Sequence, residues 1–465
     1  MTIITKQRGV NILKTEFNKE RFSKYFNEIV QDTGKTHDTD MIEKLEQEIV
    51  DYVTGFETVT ARKLNEFTLR IVADAINETH PDLKWVCASA YRRQLYKDVS
   101  SLRGFNYKEG YGDLYSLLYM GVENGLYDET LIQKYSRQDI EKLGEAINPS
   151  KDKLLDFGGI NLLSLKYLTK NYDKKIVELP QERFMVAAMY LLSVEKDNRV
   201  EKVIDAYNAL SNLYFGLATP TLMNAGKPNG SLSSCQIVTL DDDLRNIFDG
   251  NKQTAEFSQA GAGVGIYLGK LRSNGSWIRG HKGRASGVVH PARLNSVLAE
   301  YVNQLGARKA GLVVYLPDHH ADILDFLELR LKTGSQETRA HSVKTGVCMH
   351  DEFWRRLEKG DNWTLFDPYE LKKVLDLDLN DLYDLKPLQE GETPNPTDHA
   401  FTYYFRKAEM STELTMSKKI QAKLLYQGIF KSLKTSGTPY IINIDAANRK
   451  NPNKHAGVIY CSNLC

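Results

Sequence analysis

Apolar positions recur at helical spacing through the first half of the chain and give way to short strand-like runs in the second. At the start, Ile3-Ile4-Thr5-Lys6 and Val10-Asn11-Ile12-Leu13 flank Gln7-Arg8-Gly9, which predicts a β-hairpin with Gly9 in the turn. Helical patterns follow at Lys19 to Val30, Met41 to Val53 and Thr60 to Asn77; the last carries Leu64, Phe67, Ile71 and Ala75 on one stripe. Residues 98 to about 215 are mostly helical in pattern. From Asp197, one helix face is built by Val200, Val203, Ile204, Tyr207, Leu210 and Tyr214, with Gly216 as the expected stop.

From Gly216 the pattern changes. Strand-like runs at Gln236 to Leu240, Val264 to Leu268, Leu312 to Leu316, Trp363 to Phe366 and Tyr440 to Ile444 alternate with helical stretches. That alternation predicts an α/β sheet or barrel with parallel strands. One helix is well marked, with Asp351 as cap, Phe353, Trp354 and Leu357 on one face and Gly360 as stop. Asp376 to His399, rich in Asp, Pro and Glu, reads as a surface excursion. The expected domains are 1–97, 98–215 and 216–465, with no internal repeat.

Composition changes this picture little. At roughly 150 residues per domain, 465 residues suit about three domains with a real core. The 61 Lys plus Arg and 60 Asp plus Glu leave a formal net charge of +1, so bulk charge gives no support to a nucleic-acid or anionic-membrane partner. The best apolar run, Phe184 to Val194, is too short to span a bilayer and fits a buried helix. The N-terminus, MTIITKQRGVNIL, lacks a signal-peptide core, so a cytoplasmic location is expected. The five cysteines, Cys87, Cys235, Cys348, Cys461 and Cys465, match neither a disulfide framework nor a zinc site; the ordinary reading of each is a small buried hydrophobe.

Candidate chemistry clusters after residue 216. The glycine-rich run Ala260-Gly261-Ala262-Gly263-Val264-Gly265-Ile266 leads into a strand-like stretch, not a helix, which rejects a dinucleotide fingerprint. Those glycines instead let a backbone lie flush against a ligand. Two loops, Lys270 to Gly280 and Gln304 to Gly311, pair cations with glycines and follow Asp242-Asp243. They read either as solvated basic loops or as a nucleotide site, with arginine forks on phosphate and an Asp on a ribose hydroxyl. Ser231 to Cys235 and Cys461 to Cys465 set thiols beside small polar residues suited to a polar substrate, and Thr219-Pro220 precedes Cys235 closely.

Together, Ala218-Thr219-Pro220-Thr221-Leu222, Leu232-Ser233-Ser234-Cys235, the Gly275 to Gly280 loop, Gly306-Ala307-Arg308 and Ser462-Asn463-Leu464-Cys465 resemble the large subunit of class I ribonucleoside-diphosphate reductase, T-even-type phage forms in particular. The resemblance covers nearly the whole chain. It implies an N-terminal ATP cone, a helical region and the first half of a ten-stranded α/β barrel. Cys465 would be the thiyl radical that abstracts the ribose 3′-hydrogen, Cys235 one thiol of the reducing pair, and Asn463 a hydrogen-bonding partner of the substrate hydroxyls. Thr219, Ser234, Ala260 and Gly261 would contact substrate. Asp242, Asp243, Leu244, Arg272 and Arg279 would bind the specificity effector, and Gln304 and Arg308 would relay its identity. Lys6, Lys19 and Lys97 would belong to the cone.

The resemblance also implies no metal or cofactor in this chain, a diiron-tyrosyl radical in a small partner subunit, and ATP, dATP, dTTP and dGTP as effectors. Expected partners are the C-terminal half of the large subunit, the small radical-generating subunit, a thioredoxin- or glutaredoxin-type reductant and a second large subunit, with no membrane and no nucleic acid. If phage-encoded, the protein would work in the host cytoplasm. Two departures stand out. Gln7-Arg8 replaces the usual Arg-Asp of the cone hairpin, and Asn65 lies where dATP-inhibited members carry His; a folded cone that does not control overall activity is the alternative to a regulatory one. In the family the catalytic Glu, the second reducing cysteine and the radical-transfer tyrosines follow Cys465, so this sequence matches a truncated or split subunit, inactive alone. A catalytically silent nucleotide-binding remnant is the alternative.

Overall fold

The structure, a computed structural model, describes the chain apart from residues 1, 9–10, 109, 279–282, 305–307 and 464–465. It forms two compact units, Met1–Leu232 and Ser233–Cys465.

In the first unit, strands β1 (Ile3–Arg8) and β2 (Asn11–Glu16) pair antiparallel, and β3 (Thr58–Thr60) joins β1 in parallel. The expected hairpin strands are present; its turn residue, Gly9, lies outside the described residues. Helices α1 (Lys19–Asp32), α2 (Thr39–Thr54) and α3 (Ala61–Asp74) follow the three predicted stripes, and a fourth, α4 (Leu83–Arg103), comes after them without a predicted stripe. Asn18, Asp38 and Thr60 cap the first three, each accepting from a free amide of the first turn. Phe22, Phe26, Ile29, Ile49, Val53 and Val86 close a core between them. α4 runs without a break through residue 97.

The rest of this unit is helical. In helix Pro180–Leu191 every residue from Phe184 to Met189 is buried, but Val194 is 79% exposed, so the buried run ends earlier than its hydropathy suggests. Helix Arg199–Ser211 buries Val203, Tyr207 and Leu210. It stops before Gly216 because Leu213 turns into the left-handed region, φ 59°, leaving Tyr214 80% exposed.

The second unit is built on five parallel strands: β4 (Cys235–Thr239), β5 (Gly263–Tyr267), β6 (Leu312–Pro317), β7 (Lys344–Met349) and β8 (Tyr440–Asn443), in the order β8-β7-β6-β5-β4. β5 and β6 are buried at every position, the near-continuous apolar signature of a parallel sheet covered on both faces. Helices α5 (Leu244–Gln259) and α6 (Val289–Tyr301) lie between β4 and β5 and between β5 and β6 in the chain.

Three expectations need correction. Asn362–Leu365 is a strand, but it pairs antiparallel with Lys418–Gln421 outside the main sheet. The sheet's missing member is β7, whose opening Lys-Thr-Gly dilutes its apolar run; Gly346 is there because the Tyr315 ring occupies the space of a side chain. Helix Asp351–Lys359 has His350, not Asp351, as its cap residue, with Gly360 at φ 74° ending it as expected. The 376–399 excursion is also tied down at its ends. Leu379, Asp384 and His399 are buried, Asp384 bridges to His399, and the Asp384 carboxylate accepts from the amide and hydroxyl of Thr402. Among the described residues no helix is long and apolar enough to cross a membrane.

Candidate functional site

Cys235 and Gly263 open neighbouring strands and face each other in register. The Gly263 amide donates to the Ser234 carbonyl at 2.8 Å, which fixes the approach to β4. The C-terminal turn of α5 delivers Ala260 and Gly261 to the same strand end, with Gly261 at φ 93°, where a side chain would be strained. The Cys235 thiol is exposed and lies 3.3 Å from the Ser234 hydroxyl. Asn463, 200 residues beyond Gly263, brings its side-chain amide to 3.3 Å from the Gly263 carbonyl. The structure therefore gathers Ser234, Cys235, Ala260, Gly261 and Asn463 at one strand end.

What holds the terminal segment there was not legible as a motif. Gly265 has no side chain because the backbone of residues 462–463 takes its place: a Cβ would sit 2.9 Å from the Ser462 carbonyl carbon and 3.0 Å from the Asn463 Cα. The close approach expected of this glycine run is thus made, at Gly265, by the chain's own backbone. Upstream, Asn448 brackets Ile459, donating to its carbonyl at 2.9 Å and accepting from its amide at 2.8 Å. Cys461 is buried against Tyr267, Val313, Tyr315, Cys348 and Ile444. The Cys348 thiol donates to the Tyr460 carbonyl at 3.1 Å, and the Tyr315 hydroxyl lies 3.4 Å from the Asn463 carbonyl. Burial pushes the Cys348 and Cys461 thiols well up and Cys87 to about 12, so these three behave as small hydrophobes, not nucleophiles. Cys465 lies outside the described residues. Thr219, in the first unit, opens helix Thr219–Asn224, its hydroxyl 3.0 Å from that of Tyr167.

Asp242, Asp243, Leu244 and Arg272 lie past the other ends of the same strands, whereas Gln304 and Arg308 lead into the first end of β6. Asp242 follows β4 and Arg272 follows β5, and the two form a close pair: Arg272 Nε and one terminal nitrogen each reach Asp242 Oδ2 at 2.7 Å. The other terminal nitrogen donates to the Trp277 carbonyl at 2.8 Å, and the guanidinium stacks over Tyr369. Hydrogen bonding to Asp242 raises the Arg272 pKa further, so it is a permanent cation. Asp243 caps α5 through its carboxylate, and Leu244 is 70% exposed. Arg279 lies outside the described residues. Gln304 and Arg308 face each other on a two-strand hairpin, and only their backbone is described.

In the first unit, Lys97 lies over the Tyr25 ring, and desolvation followed by the charges of Lys6 and Arg93 pushes its pKa down. Crowded cations of this kind suit an anion. Lys19 donates to Gln47 at 2.8 Å.

Sequence reasoning passed over one further cluster. Asp318, His319 and His350 are buried with their donor atoms close enough together for a cation. The Asp318 oxygens are already committed: one accepts the His350 amide at 2.8 Å and the other lies 2.8 Å from His350 Nδ1. Burial opposes a charge on Asp318, but His350 and His319 outweigh it and hold the carboxyl at about 2. Asp318 and His350 form a hydrogen-bonded latch between the ends of β6 and β7, with His319 packed beside them.

Comparison with known proteins now supplies a context. A family model described as the ribonucleotide reductase barrel domain matches residues 233–465, and one described as the ribonucleotide reductase all-alpha domain matches 153–230. The ribonucleoside-diphosphate reductase subunit alpha of Synechocystis sp. is 32% identical over 412 residues, covering 88% of this chain and 50% of that protein. Its counterpart in Treponema pallidum is 36% identical over 346 residues, 74% of this chain and 39% of that protein. The large subunit of variola virus is 29% identical over 419 residues, 88% and 50% respectively. The chain spans about half the length, or less, of these relatives.

Proposed function

The chain belongs to the ribonucleotide reductase large-subunit family, and from that premise we propose that it carries the substrate-radical half of an enzyme that converts ribonucleoside diphosphates to 2′-deoxyribonucleoside diphosphates. One observation carries the reading. Cys235 and Asn463, far apart in sequence, meet at Gly263 because Gly265 lets the terminal segment cross the sheet.

The chemistry asks for that convergence. The Cys465 sulfur, as a thiyl radical, takes the 3′-hydrogen of the ribose. The 2′-hydroxyl leaves as water once it gains a proton. Cys235 and a second thiol from the rest of the subunit together yield two electrons and two protons and close a disulfide. The 3′-hydrogen then returns from the Cys465 thiol, which restores the thiyl. The net change is one ribonucleotide and one dithiol going to one deoxyribonucleotide, one disulfide and one water. Asn463 and Ser234 hold the ribose hydroxyls; Ala260 and Gly261 offer backbone groups, and Thr219 a hydroxyl.

Asp242, Asp243, Leu244, Arg272, Arg279, Gln304 and Arg308 make up the effector side of this reading. Lys6 and Lys97 are the cone's contribution, with Lys19 at its edge. The five parallel strands are half of a ten-stranded barrel. The other half, the radical-generating small subunit, a dithiol reductant and a second large subunit complete the machine, in the cytoplasm of the cell or host.

The test is an assay of the 465-residue chain with small subunit, dithiol and cytidine diphosphate, with and without a polypeptide carrying the remaining half-barrel. Deoxycytidine diphosphate should form only in the complete mixture. Binding of nucleoside triphosphates with no turnover in any mixture would favour the silent nucleotide-binding remnant.

A further inference from the structure

Lys270 stands between the two candidate regions. It follows β5 by three residues and precedes Arg272 by two, so it opens the loop assigned to the effector. Its ammonium, however, points the other way. It meets the Tyr460 hydroxyl at 3.2 Å and Asp381 at 3.0 Å, with Asp378 at 3.7 Å, and lies 4.6 Å from the Tyr460 ring centroid. Tyr460 donates to Asp381 at 2.7 Å and stacks on Tyr267, which in turn donates to Asn380 at 2.6 Å. One lysine, one carboxylate and the Tyr267 ring thus grip Tyr460, the residue that enters the Cys461-Ser462-Asn463 segment.

The grip is stronger than a surface ion pair. The Lys270 side chain is 18% exposed, and its ammonium is held by two hydrogen bonds and a ring face at once. Asn448 on Ile459, Gly265 under Ser462 and Cys348 on the Tyr460 carbonyl hold the segment through uncharged contacts. Lys270 and Asp381 supply the charged contacts and tie the segment to the loop of Arg272.

We propose that Lys270 and Tyr460 are positioning residues for the reductase reaction: the first residue of the effector loop clamps the segment that carries Asn463 and leads to Cys465. This rests on the functional reading above, but its first readout does not. In the 465-residue chain on a Cys465→Ser background, alkylation of each cysteine by N-ethylmaleimide is followed by mass spectrometry under native conditions. Cys235 should label fast, and Cys461 should be protected like Cys87. Lys270→Met should raise Cys461 labelling tenfold or more and leave Cys87 unchanged, and Lys270→Arg should keep Cys461 protected. Wild-type protection in folded Lys270→Met overturns the clamp, as does equal exposure in Lys270→Arg. If Lys270→Met exposes Cys87 as well, Tyr460→Phe, which keeps the ring and removes the hydroxyl, decides: Cys461 still protected overturns the clamp. In the complemented enzyme with Cys465 intact, Lys270→Met should lower kcat at least tenfold with KM for the diphosphate unchanged, and Lys270→Arg should restore it. A change confined to KM overturns the positioning role. An inactive wild-type mixture with the labelling pattern intact refutes the reductase reading and leaves the clamp standing.

Discussion

Gly265 shows how one missing side chain decides where a remote segment runs. Its Cβ position lies against the backbone of Ser462 and Asn463, so the obstacle cannot rotate away as a side chain would. Gly265→Ala should lift the 460–463 segment, cost about 1–3 kcal/mol in the stability of the second unit by urea denaturation, and unmask Cys461 to alkylation. Unchanged stability and protection would mean that the segment does not cross there. Cys235 makes the complementary case on the chemical side. Its exposed thiol beside Ser234 is the one described cysteine open to solvent, whereas Cys87, Cys348 and Cys461 are buried. Cys235→Ser in the complemented enzyme should abolish multiple turnover and leave effector binding intact; normal turnover with a thioredoxin-type reductant would remove Cys235 from the mechanism.

Secondary-structure elements connect these residues. β4 opens at Cys235 and β5 two residues after Gly261, and both lead to Asp242 and Arg272 beyond their last residues, so strands about 17 Å long separate these substrate-side candidates from that effector pair. Arg272→Ala should weaken nucleoside triphosphate binding by about 1.5–3 kcal/mol, roughly tenfold or more by calorimetry, and tight binding in the variant would place the site elsewhere. In the first unit, Asp32 at the end of α1 pairs with Arg92 of α4 at 2.5 Å and with Lys153 at 3.0 Å. Burial would raise the Asp32 pKa, but Arg92 and Lys153 override it and hold it at about 2, below its ordinary 3.8. A carboxyl lowered by folding stabilises the fold above its unfolded pKa, and that contribution is lost as pH falls from about 4 through 2. Thermal melts should therefore show Asp32→Asn less stable than wild type at pH 6, by about 1–2 kcal/mol because Asp32 keeps contact with water, and equal to it near pH 2. A gap that persists at pH 2 would contradict the pairing. Elements were legible in the sequence where one physical pattern dominated. β4, β5, β6 and β8 announce themselves as apolar runs, and α1, α2 and α3 as helical stripes. β7 was hidden because Gly346 answers to the Tyr315 ring, a contact from another strand. Asn463 and Cys235 stood out through their motifs. Lys270 stood out only as a loop cation; its grip on Tyr460 through Asp381 did not, since Lys270 reaches the two across 111 and 190 residues.

The second unit presents two sheet edges, β4 and β8, on which Ile237, Tyr440 and Ile441 are 38–49% exposed. Unpaired edges with apolar side chains favour a partner that continues the sheet. Copurification of the 465-residue chain with a polypeptide carrying the remaining half-barrel should therefore succeed over an interface of obligate size, and the chain alone with the small subunit should show no reductase activity. Activity without the completing half would refute the half-barrel reading. The central claim, that Cys235 reduces a substrate held at the Gly263 strand end, is tested most directly by a single turnover without external reductant. The complemented enzyme, fully reduced and then freed of dithiol, is mixed with cytidine diphosphate and effector, quenched in acid and mapped by mass spectrometry. Deoxycytidine diphosphate should form with Cys235 recovered in a disulfide in the same proportion. Product formed with Cys235 still a free thiol would contradict the account.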